Sequence, residues 1–297
     1  MKLNPIFERD LAVQSRSYGM PLLVVILNMI LFAAGLLGMF GMTARMRMTG
    51  MQEYGAFLEL YGLVASMSFL ILLLVTPSLS AGVISGERQT DNLDLLLTTQ
   101  MTPMRIVTGK LYSAAWMLGV VFCSALPALL IPLIYGGISV FATILLLFMF
   151  FLESVYLLLV GLFSSSFGRS AMRSSALAYG LEAALCIGTA LAAVLARPLA
   201  SSGNNVTAYL LVLNPVASFL AMLASLLGRP QLTAQLFSEL NLAADPAFTR
   251  FFVPVSLLFQ LALSVCLLLG AAVNIAPMHG KRQEERKMKH VRRSEKR

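Results

Sequence analysis

The stretch ISGERQTDNLDLLLTTQMTPMRIVTGK, residues 84–110, lies between two long apolar runs and carries six charged side chains. Leu93, Leu96 and Leu97 recur at i, i+3 and i+4, so a helix over this stretch puts them on one face. Arg88, Asp91 and Asp94 occupy the other faces. Thr102-Pro103 then reads as an N-cap followed by proline at N1, and predicts that a new helix starts there. A short amphipathic helix between two apolar segments predicts an element at the membrane surface, placed to be pushed by something in the water phase.

Composition supports a membrane setting. The 297 residues are 58% hydrophobic and 12% charged, with a mean hydropathy of +0.81, which leaves too few charges to coat a soluble domain. The pattern predicts an all-α, polytopic membrane protein with spans at about 20–41, 58–84, 111–134, 140–163, 175–195 and 252–275. The first apolar run begins after about eighteen mixed residues and is long enough to cross, so it reads as a span and not a cleaved leader. Residues 1–18 punctuate with Asn4-Pro5 and carry Ile6, Phe7, Leu11 and Val13 among Lys2, Arg9 and Arg16, which predicts an interfacial helix.

Residues 207–227 are apolar enough to pass for a seventh span, but Asn214-Pro215 interrupts them near the middle. Charge decides the count. With six spans and the amino terminus inside, inside segments hold 17 Lys/Arg and outside segments hold five, namely Arg45, Arg47, Arg197, Arg229 and Arg250. Seven spans would carry residues 281–297, with their nine Lys/Arg and three Glu, across the membrane. The chain is therefore divided into one six-span domain over 1–280 and a basic cytoplasmic tail over 281–297. Residues 212–227 become a pair of helices at or dipping into the outer face. The tail reads as a topology anchor and not as a nucleic-acid arm.

Two carboxylates fall inside spans, Glu153 and Glu182. A charge at bilayer depth costs on the order of 3 kcal/mol on insertion scales, so each must face protein or water, or be neutral. Ser175, Tyr179, Glu182, Cys186 and Thr189 form one polar seam at helical spacing, and Ser256, Gln260 and Ser264 form another; Asn28 adds a polar group to the first span. Glu153, Tyr179, Glu182 and Gln260 are the candidates for a translocation path or a proton-coupled site. The plainer alternative is hydrogen bonding between helices. Glu59 reads as interfacial.

Enzymatic readings find no support in the residues. Gly109-Lys110 lacks the earlier glycine of a phosphate-binding loop, since Met104 stands in its place. Both histidines, His279 and His290, lie near or in the tail, and Cys123, Cys186 and Cys266 lack the spacing of a metal or disulfide site. No catalytic or metal site is expected on this chain. Asn205-Val206-Thr207 fits a glycosylation sequon, a weak signal.

With Glu87-Arg88, Leu93-Asp94-Leu95-Leu96, Thr98-Thr99 and Pro103 in place, the 84–110 stretch resembles that of export-type ABC transporter permeases, the ABC-two permease family. That pattern has a Glu-Arg or Glu-Lys pair, a Thr-Leu-Glu-x-Leu-Leu core and a Thr-Pro; here Asn92 replaces the usual Thr, and Gln100 stands where Pro often follows Thr-Thr. The likeness covers nearly the whole chain in layout and these 27 residues in motif. It implies a permease subunit of the plasma or inner membrane, with both termini cytoplasmic and an amino-terminal elbow helix. It further implies a second permease subunit, identical or related, and a separate ATP-binding subunit that holds ATP and magnesium. Leu93, Leu96 and Leu97 would then be docking anchors or the membrane-facing side, and Glu87, Arg88, Asp91 and Asp94 the charge partners of the ATPase. Competing roles are a non-transporting anchor or signalling subunit, and a secondary carrier. A carrier would call for repeat symmetry and broken helices around an ion site, and no internal repeat is visible.

Overall fold

In the computed structural model, residues 5–14, 18–49, 54–90, 102–134, 138–195, 209–229, 231–232, 235 and 246–275 are described. They are almost entirely helical, with no strand among them. Eight helices organise them: α1 Pro5–Gln14, α2 Gly19–Thr49, α3 Tyr54–Gln89, α4 Pro103–Ile134, α5 Val140–Phe167, α6 Ala171–Leu195, α7 Pro215–Leu226 and α8 Pro246–Ile275. Helices α2 to α6 and α8 are each long and apolar enough to cross a membrane. The chain is thus a polytopic all-α protein.

The six long helices alternate in direction. Arg45 meets Glu59 at the turn from α2 to α3, while Arg88 of α3 donates to the Gly168 carbonyl that follows α5. Asn274 near the end of α8 donates to Ser166 of α5, so α8 finishes at the same end of the bundle where α1 and the start of α2 lie. An even number of crossings has that consequence. What this fold exposes is apolar: Leu22, Val25, Met29, Ile30, Leu36, Leu37 and Phe40 project from α2, and Leu177, Leu181, Ile187 and Leu191 from α6. A surface of that kind is stable against lipid tails and not against water.

Inside, α3 and α5 form the central pair. Gly161 permits it, because a Cβ there would run into Ser80 of α3. Small residues at such a crossing let two backbones approach closely where no hydrophobic force drives helices together. One turn further along, Ser165 accepts from the backbone N–H groups of Ile84 and Ser85, each at 3.0 Å. Proline at 77 removes one backbone hydrogen bond of α3; close by, the Tyr179 hydroxyl donates to the Leu74 carbonyl at 2.7 Å.

Two helices run beyond the expected spans. α3 continues to Gln89, so Glu87 and Arg88 belong to its last turn. α4 begins at Pro103 with Thr102 accepting the first backbone bonds, as the Thr-Pro pair predicts, and so carries Lys110 on its second turn. Residues 91–101, with Asp91, Leu93, Asp94, Leu96 and Leu97, lie outside the described residues, as do the 205–207 sequon and the 281–297 tail.

Residues 209–229 dip into the bundle and do not lie on its surface. A single 3-10 turn, Leu211–Leu213, leads into α7, and α7 enters the core. Phe219 stacks on Phe69 of α3 with ring centres 4.2 Å apart, and Phe150 of α5 completes the cluster at 5.9–6.0 Å from both. A twelve-residue helix is too short to cross, so this element is a wedge inserted from the end of the bundle opposite α1.

Candidate functional sites

Two clusters of polar side chains are built inside the bundle, one at each level where long helices meet a shorter element. The first lies at the α1 end. Lys110 of α4 is 6% exposed and sits 2.8 Å from both Asp10 Oδ2 of α1 and Glu87 Oε1 of α3. Arg9 of α1 reaches the same Glu87 oxygen at 3.2 Å. Periodicity accounts for the arrangement. Lys110 follows Ile106 and Val107 on the buried face of α4, and Glu87 follows Ile84 on the buried face of α3. One ammonium therefore joins two carboxylates from two other helices, in a site dry enough for the attraction to act with little screening.

Of the charges expected on the docking surface, Glu87 is engaged inside the chain and Arg88 donates to the Gly168 carbonyl at 3.0 Å. Lys110 and Asp10 were not singled out by the sequence. The signal was present: a lysine at the helical spacing of buried apolar residues needs an acid.

The second cluster lies midway along α5. Glu153 is fully buried. Ser218 of α7 donates to its Oε1 at 2.5 Å, and the Gln260 amide of α8 lies 3.0 and 3.1 Å from its two oxygens. Ser256 of α8 donates in turn to the Val212 carbonyl at 2.6 Å. The Ser256, Gln260, Ser264 seam is buried along its whole length, and it brings Gln260 to Glu153. Ser218 is the partner the sequence does not announce, because it sits in an ordinary apolar helix.

The other seam turns differently. The buried face of α6 is Ser174, Ala178 and Glu182, so Tyr179 is turned outward and spends its hydroxyl on Leu74. Glu182 is buried, and neither of its oxygens has a hydrogen-bond partner among the described residues; the same is true of the Tyr156 hydroxyl. Tyr156 and Cys186 are neighbours of Glu153, and Cys186 and Tyr179 are neighbours of Glu182. The two carboxylates thus share neighbours without touching the same groups.

Asn214 links this region to α6. Its side-chain oxygen accepts from the backbone of Val216 and Ala217, capping α7 ahead of Pro215. Its amide donates to the Cys186 carbonyl at 2.8 Å and to Thr189 at 3.0 Å. Cys186 lies in a π-helical turn, Ala184–Gly188, whose wider spacing leaves carbonyls open to outside donors. Asn28 of α2 bonds Ser124 of α4 at 2.8 Å. Among the described residues there is no group of three or more His, Cys, Asp or Glu placed to hold a metal ion. No protein-family model matches the chain, and no curated protein is significantly similar to it.

Proposed function

We propose that the chain is the transmembrane permease subunit of an ATP-driven ABC exporter, coupled to a separate ATP-binding subunit through residues 91–101. The observation that supports this most is the Asp10–Lys110–Glu87 cluster. The proposed docking segment leaves the bundle from the end of α3 and returns at the start of α4. Both of its attachment points, and the helix α1 beside them, are clamped by one lysine. A push on the segment is then delivered to three helices as one body and not lost in bending of either attachment. Rigid-body transmission of this kind is what switching between two exposures requires.

In this role Leu93, Leu96 and Leu97 supply apolar anchors and Asp91 and Asp94 the charges for a groove on the ATPase. Glu87 holds the base of the segment from within. Both termini are cytoplasmic, ATP and magnesium bind on the partner, and a second permease subunit completes the pathway. The test is affinity purification of the tagged chain from its native membrane. A stoichiometric ATPase that is retained by the unmodified chain and lost from Leu96→Asp is the expected result. Retention by Leu96→Asp, with ATPase activity still stimulated, removes the proposed contact.

A further inference from the structure

Glu153, its two partners Ser218 and Gln260, and Ser256 beyond them form a closed hydrogen-bonding problem. The carboxyl group is fully buried at the middle of α5, and the ion pairs of the described residues lie at the ends of the bundle, away from it. Its neighbours are Ser218 Oγ and the side-chain amide of Gln260. A buried amide has two donors and one acceptor, and each hydroxyl has one donor to give.

Two orientations of the Gln260 amide fit the space. In the first, the nitrogen faces Glu153 and the oxygen faces Ser256 Oγ at 3.2 Å. That oxygen then needs the Ser256 proton, which already goes to the Val212 carbonyl at 2.6 Å. Either the amide oxygen or the Val212 carbonyl loses its donor. In the second, the nitrogen donates to Ser218 Oγ at 3.3 Å and to Ser256 Oγ at 3.2 Å, and Ser256 still serves Val212. Ser218 has both Glu153 Oε1 at 2.5 Å and the Pro215 carbonyl at 2.9 Å within reach, and the carboxyl oxygen is the nearer. Every donor is used. The Gln260 oxygen, however, now faces the carboxyl oxygens at 3.0–3.1 Å, which is repulsive between acceptors unless one of them carries hydrogen.

We propose that Glu153 is a proton-binding site, a neutral carboxylic acid whose O–H is donated to the Gln260 side-chain oxygen while its other oxygen accepts from Ser218. Proton and amide orientation are then one variable. When the proton leaves, Gln260 must turn over to offer N–H to the carboxylate, and its bond to Ser218, which joins α8 to the wedge helix α7, is given up. The titratable groups facing this site are Tyr156 on its own helix and Cys186 on α6, with Glu182 beyond Cys186; α7 and α8 contribute only Ser218, Ser256 and Gln260 among the described residues. The assignment stands independently of any ATPase partner.

The test is infrared spectroscopy of the full chain in lipid vesicles at neutral pH, with the proton itself as the probe. A carbonyl stretch of a protonated carboxylic acid, sensitive to deuterium exchange, is expected in the unmodified protein, with its hydrogen-bonded, lower-frequency component lost in Glu153→Gln and kept in Glu182→Gln. Ser218→Ala removes the hydrogen bond to the acid's carbonyl oxygen, and so moves the band to higher frequency without loss of intensity. This second variant reads the same site if Glu153→Gln does not fold. Absence of the band in the unmodified protein overturns the assignment. So does a band that survives Glu153→Gln and vanishes in Glu182→Gln, or one that Ser218→Ala leaves unmoved.

Discussion

Lys110 carries more of the architecture than its position at the mouth of an apolar helix advertises. Its ammonium is the single cation between Asp10 and Glu87, at 2.8 Å from each, with Arg9 assisting from a half-exposed position. Removing one member of a buried pair strands the others, whereas removing all of them together costs far less. Lys110→Met is therefore expected to destabilise the protein by about 3 kcal/mol. Adding Asp10→Asn and Glu87→Gln to the same protein is expected to restore most of that loss. Thermal unfolding of the parent, the single variant and the triple variant in detergent measures both effects. A Lys110→Met protein as stable as the parent would show that the cluster is solvated and not structural. Glu87 was visible in the sequence as a charge beside a membrane span, and Lys110 as a lysine at the spacing of apolar residues, but their pairing was not. The 3.6-residue period shows which residues share a face, while the meeting of α1, α3 and α4 is long-range and leaves no local mark.

At the scale of elements, the crossing of α3 and α5 and the seating of α7 decide how tightly the bundle closes. The crossing rests on Gly161, whose missing side chain is filled by Ser80. Gly161→Ala should force the two helices apart, at a cost of about 1–3 kcal/mol, the usual range for overpacking. Adding Ser80→Gly vacates the space and is expected to recover most of the loss, even though glycine in a helix has its own penalty of up to about 1 kcal/mol. A melting temperature of the double variant no higher than that of Gly161→Ala would place the strain elsewhere. The six spans were legible because length and hydropathy are local properties; Asn214-Pro215 was legible as a break in the apolar run, and the structure starts α7 there. How far α7 enters was not legible. Its depth comes from Phe219 meeting Phe69 and Phe150, and from Asn214 meeting a π-turn carbonyl in α6. Nothing in the composition of residues 184–188 distinguishes a π-turn from ordinary helix, since all five are small or apolar apart from one thiol.

For the molecule as a whole, the remaining degree of freedom is which way it faces. The fold puts the end of α8 beside α1, so the two described ends of the chain share one side. The charges then break the symmetry. On the six-span reading of the sequence, inside segments hold 17 Lys/Arg and outside segments five, and the proposed orientation follows from keeping the basic side in the cytoplasm. Labelling from outside the cell reads this directly. In a variant with Cys123, Cys186 and Cys266 replaced by Ala, a cysteine in place of Arg47 is expected to react with a membrane-impermeant maleimide in intact cells. A cysteine in place of Arg169 is expected to react only after the membrane is opened. Arg47 lies in the last turn of α2 and Arg169 in the turn between α5 and α6, so each reports one end of the described bundle. The reverse labelling pattern would put the Asp10–Lys110–Glu87 cluster on the outer face. No ATP-driven partner could reach residues 91–101 there, and the proposed coupling would be lost with the orientation.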